Sequence, residues 1–407
     1  FPIKAVSLAF LPFWIWYVVS MVRFRRGVVL IYFFFFLLQL TTTFYHNGLL
    51  FVSNLMLSIL FLSPLFIFLA SKVTDGVKLS SVKSALDIFL AIQIVFCTLQ
   101  VLSRLMGGWS LDLDFGDVVA GTFRLPFAYK TDASNVMFAF MITLILPLYI
   151  HLFGFRKNIT LVSLCFFYLI LASVNHLYFC IVVSLLLVLL KSFRFSHLKY
   201  LIIFVGSLIP IIAFYLQIQP KNANMIVSRL SLGFDSIVSG NLAILGFKGG
   251  VVNGFFVHFI ENKFAVFFMG FGGGSYSSRA SLFLTGEYVS SFPFRNISAY
   301  MFENCYALWK ALLAAPPWLS GAFNYPYFSV LSLVSEYGII FSGVFLYMLS
   351  NKLKESFRFS PRLSSLMFFI IISASFIDNY LEYFQVMVIF VTFIFALGKS
   401  EGMENAK

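Results

Sequence analysis

Apolar segments of about twenty residues recur along the whole chain, and this repetition limits the fold more than any other sequence feature. Segments of that length and composition are typical of helices that cross a lipid bilayer. We predict about eleven such spans, which lie near residues 3–20, 28–45, 49–71, 85–103, 135–153, 159–174, 177–190, 200–218, 328–349, 363–377 and 380–397.

The composition supports the same class. Only 11% of the residues are charged and 60% are hydrophobic, which excludes a soluble enzyme and a disordered chain. An outer-membrane barrel is excluded as well, because its strands would alternate polar and apolar residues. The cysteines have no metal-ligand spacing, and we expect neither a metal nor a cofactor. The predicted fold class is an all-α polytopic integral membrane protein.

The charges between the predicted spans indicate the orientation. Every second connection is basic, and these connections contain Arg23, Arg25, Arg26, Lys72, Lys78, Lys83, Arg156, Lys157, Lys191, Arg194, Lys199, Lys352, Lys354, Arg358, Arg362, Lys399 and Lys407. The opposite short connections hold only Lys4, Arg104, Arg124 and Lys130. Because positively charged loops are retained in the cytoplasm, we expect the basic connections to be cytoplasmic.

This orientation divides the chain into three parts. Residues 1–218 are predicted to form the first eight spans, residues 219–327 a long outer loop, and residues 328–407 the last three spans with a short cytoplasmic tail. Loops of that length are usually functional. Residues 251–268 and 299–313 carry apolar residues at helical spacing, which predicts two amphipathic helices at the membrane surface.

The long outer loop is rich in cations, although insertion disfavours positive charge outside. We interpret Arg229, Lys248, Arg279 and Arg295 as candidate ligands for an anion, and a lipid diphosphate at the outer leaflet fits them best. Arg229 is the strongest single candidate, because it follows the eighth span closely. The alternative is that these cations form salt bridges within the loop or extend toward lipid headgroups.

Carboxylates provide the candidate general bases. Asp235 and Glu303 lie in the outer loop, where a simple solvated carboxylate is the alternative for each. Glu336 differs from them, because it lies about 12 Å inside a predicted span and should face the bundle interior with a partner. The single histidine of the outer loop, His258, is a candidate for substrate contact or for helix packing.

Three other signals receive simpler interpretations. GFGGGS at residues 270–275 lacks the Lys of a phosphate-binding loop, and we expect a flexible turn there. Asp378 and Glu382 flank the short outer turn between the last two spans, where an interfacial role is expected. His176 lies in the turn between the sixth and seventh spans, and we expect a polar turn residue.

Several of these segments together resemble the bacterial O-antigen polymerases of the Wzy type and, more distantly, the O-antigen ligases. MIVSRLSLGF opens the outer loop with Arg229, and GFKGGVVNGFF follows with Lys248. FMGFGGGSY is similar to a family stretch G-x-G-x-x-x-Y, and FNYPYFSVLSLVSEYGIIFSG resembles HN-x-x-L…E-x-G-x-x-G. Phe323 precedes Asn324 where the ligases have histidine, which favours the polymerase.

The resemblance implies a GT-C-like membrane glycosyltransferase in the bacterial inner membrane, with its active face in the periplasm. Its substrates would be undecaprenyl-diphosphate-linked repeat units, and Asn324 would belong to the glycan-binding residues. A Wzz-type chain-length regulator and membrane lipids would be its partners, and nucleic acid would not. The alternatives are a ligase-type transferase and a polysaccharide flippase.

Overall fold

The computed structural model describes residues 14–16, 23–72, 78–107, 119–125, 134–191, 206, 231, 235, 238–239, 247–262, 264–284, 297–298, 302, 306, 310 and 328–397. Within these residues the regular elements are helices, accompanied by an isolated β-bridge between Phe24 and Ser71. The main helices are α1 (Arg26–Asn47), α2 (Val52–Ala70), α3 (Leu79–Met106), α4 (Ser134–Phe153), α5 (Ile159–Leu171), α6 (Asn175–Lys191), α7 (Phe247–Asn262), α8 (Phe264–Met269), α9 (Arg279–Leu284), α10 (Ser329–Ser356), α11 (Pro361–Ser375) and α12 (Phe384–Leu397).

Five of the described helices are long and apolar enough to cross a membrane, namely α1, α2, α3, α4 and α10. Three shorter apolar helices accompany them, formed by most of α6 and by α11 and α12. This is the architecture of a multi-pass helical membrane protein. The predicted spans at 3–20 and 200–218 lie almost wholly outside the described residues, so the total of eleven stays a prediction.

The two extremes of burial follow from the sequences of the helices. α4 is apolar on all sides and lies in the core, where residues from Met137 to Leu146 are buried. α1 buries only polar side chains, Gln39, Thr42 and Thr43, whereas Phe34 is 68% exposed. An apolar face turned outward and a polar face turned inward fit a helix that is surrounded by lipid.

The bundle brings several of the basic connections together at one end. Arg25 forms an ion pair with Glu355 near the end of α10, and Lys352 donates to the Ser71 carbonyl over 2.6 Å. Lys191, the last residue of α6, donates to Ser365 Oγ in the first turns of α11. We call this region the basic end.

The long connection between α6 and α10 contributes α7, α8 and α9, which pack into the bundle instead of forming a separate body. α8 lies against α10, and α9 lies against α2. The predicted amphipathic helix at 251–268 is thus described as α7 and α8, with Val251 and Phe255 buried against Phe271 and Tyr276. The helix predicted at 299–313 lies almost entirely outside the described residues.

Candidate functional site

The glycine-rich segment 270–278 between α8 and α9 is built around one carboxylate. Glu336, the eighth residue of α10, is fully buried. Its Oε2 accepts a hydrogen bond from the Gly274 N–H at 2.6 Å, and its Oε1 accepts from Tyr276 at 2.9 Å and from Ser278 at 2.8 Å. As the sequence predicts, Glu336 faces the interior with partners, which are backbone amides.

The glycines of this segment are required by its geometry. Gly270, Gly272 and Gly274 have φ values of 79°, 97° and 73°, which other residues rarely adopt. A Cβ on Gly270 would lie 2.6 Å from the Tyr337 nitrogen, so the backbone of the segment lies directly on α10. Residues 270–278 are all buried, and the prediction of a flexible turn is therefore wrong.

Polar side chains of α1 and α2 bind carbonyl groups of the same segment and of the residue before it. Asn47 donates to the Phe271 carbonyl at 2.8 Å, and Asn54 donates to the Gly274 carbonyl at 3.0 Å. Gln39 donates to the Met269 carbonyl at 3.1 Å. Non-helical backbone within a membrane bundle needs such partners, because lipid offers no hydrogen bonds.

α10 is itself interrupted beside this segment. Gly338 has a φ of 82° and a ψ of 162°, which no helix allows. A Cβ at Gly338 would lie 2.7 Å from the Met269 nitrogen and would overlap the Phe268 carbonyl. The interruption in α10 therefore makes room for the C-terminal end of α8.

The segment leads directly into a charged region formed with the turn between α11 and α12. The Arg279 backbone N–H donates to the Glu382 carboxylate, and the Arg279 guanidinium lies 4.5 Å from the centre of the Tyr383 ring. Glu382 is 2% exposed. Burial raises the pKa of Glu382 well above its usual range, and the charge of Glu336 adds to this effect, whereas Arg279 opposes it.

A second cation reaches the same turn from α7. Lys248 Nζ donates to the Ile377 carbonyl and lies 5.8 Å from the centre of the Phe328 ring. Burial lowers the pKa of Lys248 to about 8, although the charge of Asp378 opposes this shift. Asp378 in turn accepts a hydrogen bond from the Tyr383 hydroxyl at 2.7 Å. We call Lys248, Arg279, Asp378 and Glu382 the charged cluster.

Hydroxyl and amide groups tie the charged cluster to the start of α10. Ser332 Oγ donates to the Ser277 carbonyl at 2.8 Å and lies 3.3 Å from Asn379 Oδ1. Ser329 Oγ accepts from the Leu381 N–H at 3.0 Å. His176 at the start of α6 is hydrogen bonded to Tyr380 and buried, which is a stronger role than that of the polar turn residue expected.

The charged cluster and the basic end lie at opposite ends of α10. Ser329 contacts the turn at Asp378, whereas Lys352 contacts Ser71 at the basic end. The separation of these two residues along the helix corresponds to roughly 35 Å at 1.5 Å per residue. That distance matches the thickness of the hydrocarbon core with a small excess.

Not all predicted site residues are brought together by the described structure. Lys248 and Arg279 meet at one turn, and Glu336 holds the segment before Arg279. Asp235 is exposed, and its carbonyl accepts a hydrogen bond from Ser239 Oγ. His258 belongs to α7, but its side chain lies outside the described part. Arg229, Arg295, Glu303 and Asn324 also lie outside the described residues, so their roles stay predictions.

The turn between the last two helices is buried more deeply than the sequence indicated. Asp378 is 7% exposed and Glu382 is 2% exposed, so both are buried deeper than an interfacial role implies. Asn379 was not among the candidates. The signal was present as three polar residues, Asp378, Asn379 and Glu382, in one short connection between apolar spans.

We compared the chain with protein-family models, with curated proteins and with solved structures, and none of them matches.

Proposed function

We propose that this chain is a membrane glycosyltransferase that polymerises a surface polysaccharide. It transfers a glycan chain from undecaprenyl diphosphate to the non-reducing end of another lipid-linked repeat unit, and the reaction takes place at the outer face of the bacterial inner membrane. The proposal unites the resemblance to the O-antigen polymerases with the charged cluster.

One observation carries the proposal. Lys248 and Arg279, two cations predicted to bind a lipid diphosphate, both reach the turn at 377–383 although they belong to different helices. Two buried carboxylates, Asp378 and Glu382, lie in the same turn. Transfer from a diphosphate needs one group that stabilises the leaving anion and another that accepts a proton. The cations and the carboxylates at this end of the bundle are suited to these two roles.

An acceptor hydroxyl oxygen attacks the anomeric carbon of the donor, and the bond from that carbon to the diphosphate oxygen breaks. The diphosphate leaves with the electron pair, and we assign the stabilisation of its charge to Lys248 and Arg279. The hydroxyl proton passes to Asp378, the carboxylate whose charge acts on Lys248. Arg229 and Arg295 would add further positive charge from the outer loop.

Transport of the lipid-linked glycan is the second candidate, and one observation favours it. The interruption of α10 at Gly338 lies beside the buried non-helical segment 270–278. Interrupted helices of this kind often form the substrate sites of transporters. In this chain, however, the amides of the segment bind Glu336, so the interruption serves an internal contact.

The experiment is an assay of purified protein in detergent with a synthetic undecaprenyl-diphosphate-linked repeat unit. Products that form a ladder of added repeats would support the polymerase. Transfer that occurs only after lipid A core is added would identify a ligase and overturn the polymerase. Absence of product with both acceptors, together with movement of the donor across liposome membranes, would replace the enzyme by the transporter.

A further inference from the structure

We propose that Glu336 and Glu382 are positioning residues that together hold segment 274–279 and thereby place the Arg279 guanidinium at the transfer site. The inference rests on the proposed function for the role of Arg279, whereas the binding of the segment by the two carboxylates is independent of it. It gives Glu336 a positioning role in place of the catalytic role expected from the sequence.

Backbone N–H groups of segment 274–279 are directed at the two carboxylates. Gly274, Tyr276 and Ser278 direct their N–H groups at Glu336, and the next residue, Arg279, directs its N–H at Glu382. The N–H groups of residues 274, 276 and 278 converge on one carboxylate and so form an anion-binding concavity, which includes a glycine at positive φ. Here the bound anion is a side chain of the protein itself.

The two acids belong to different elements of the fold. Glu336 belongs to α10, and Glu382 belongs to the turn between α11 and α12. Their carboxylates therefore attach segment 274–279 to two separate parts of the membrane bundle. Both side chains are buried, at 0% and 2% exposure, so water does not compete for these hydrogen bonds.

Arg279 is the residue whose position depends on the bound segment. This residue follows Ser278 directly and begins α9, so Glu382 binds its own backbone N–H and Glu336 binds the N–H of the residue before it. Its guanidinium lies over Tyr383, whose hydroxyl binds Asp378. A shift of the segment would move the guanidinium away from the rest of the charged cluster, which would weaken binding of an anionic leaving group without removing any cation.

Glutamine substitutions test the two carboxylates with little change of volume. The Glu336 carboxylate accepts on both oxygens, whereas glutamine has one acceptor oxygen and would turn its NH₂ toward an N–H donor. We expect Glu336→Gln to accelerate hydrogen–deuterium exchange about tenfold or more in peptides that cover residues 270–284. Glu382→Gln should do the same, whereas the matched control Glu355→Gln at the basic end should leave these peptides unchanged.

Unchanged exchange at 270–284 in both variants would overturn the inference. If Glu336→Gln does not yield folded protein, Glu382→Gln decides the question. Faster exchange confined to these peptides supports the positioning role of the carboxylates, and unchanged exchange refutes it. This measurement needs no substrate, so it tests how the two carboxylates hold the segment even if the purified protein transfers no glycan. Absence of transfer would refute the proposed function alone.

A kinetic test separates positioning from general stability. We expect Glu382→Gln to raise KM for the lipid-linked donor about tenfold, because the loss of a buried hydrogen bond has roughly that effect. In an Arg279→Ala background, where transfer itself is expected to be lost, donor affinity measured by direct binding of the lipid-linked donor should not fall further on the same substitution, since the residue that it positions is absent. Losses that multiply in the double variant would contradict a role through Arg279.

Discussion

Gly338 offers the sharpest test of how α8 and α10 fit together. Alanine at this position would have to adopt φ 82° and ψ 162°, a region that is essentially restricted to glycine and costs about 1–3 kcal/mol. Its Cβ would also overlap the Phe268 carbonyl and approach the Met269 nitrogen to 2.7 Å. Overpacking of a filled site adds about 1–3 kcal/mol. We therefore expect Gly338→Ala to lower the free energy of unfolding by about 2–6 kcal/mol.

Gly343 provides a matched control five residues further along the same helix. Among the described residues, and apart from the adjoining residues and the backbone of its own helix, no atom lies within 4 Å of a Cβ at this position. Alanine is also the better helix former by about 1 kcal/mol. We expect Gly343→Ala to keep or raise the temperature at which half of the detergent-purified protein stays monodisperse, and Gly338→Ala to lower it. Equal midpoints for the two variants would refute the interrupted geometry of α10.

Three further predictions concern other parts of the molecule. Because the pKa of Lys248 is about 8, its charge is present below that pH and is lost above it. The donor KM should therefore rise between about pH 7.5 and 9 in the wild type but stay constant in Lys248→Arg. Identical pH profiles of the two proteins would contradict this prediction. Gln100→Leu removes hydrogen bonds to the backbone of residues 120–124 and should expose Arg124 to trypsin, whereas continued protection would argue against that contact. Arg25→Ala breaks a partly exposed ion pair with Glu355 and should cost less than about 1 kcal/mol, so a large loss of thermal stability would be unexpected.

The helical membrane architecture was predictable from the sequence, because apolar length and charge asymmetry act locally and accumulate along the chain. The contacts among Arg25, Glu355, Lys352 and Ser71 fit this prediction, since they bring basic connections to one end. The conformation of the long connection was less predictable. Its apolar content indicated helices, but the close packing of α8 against α10 depends on two glycines that are distant in sequence, Gly270 and Gly338.

The site was predictable in its charges but not in its geometry. Lys248 and Arg279 were identified as cations in an unfavourable location, and Glu336 was identified as a costly acid inside a span. Which backbone amides would bind Glu336 could not be read from the sequence, because those donors occur in every residue. The glycine-rich stretch was misjudged for a related reason, since glycine allows both a flexible turn and a close approach of two backbones.

The most direct measurement of the central claim compares two arginine variants in the repeat-unit transfer assay. Arg279→Ala removes a cation of the charged cluster, whereas Arg358→Ala removes a cation in the connection between α10 and α11. We predict that Arg279→Ala loses the ladder of products while its elution profile stays that of the wild type, and that Arg358→Ala retains the ladder. A full ladder from folded Arg279→Ala would contradict transfer at the charged cluster.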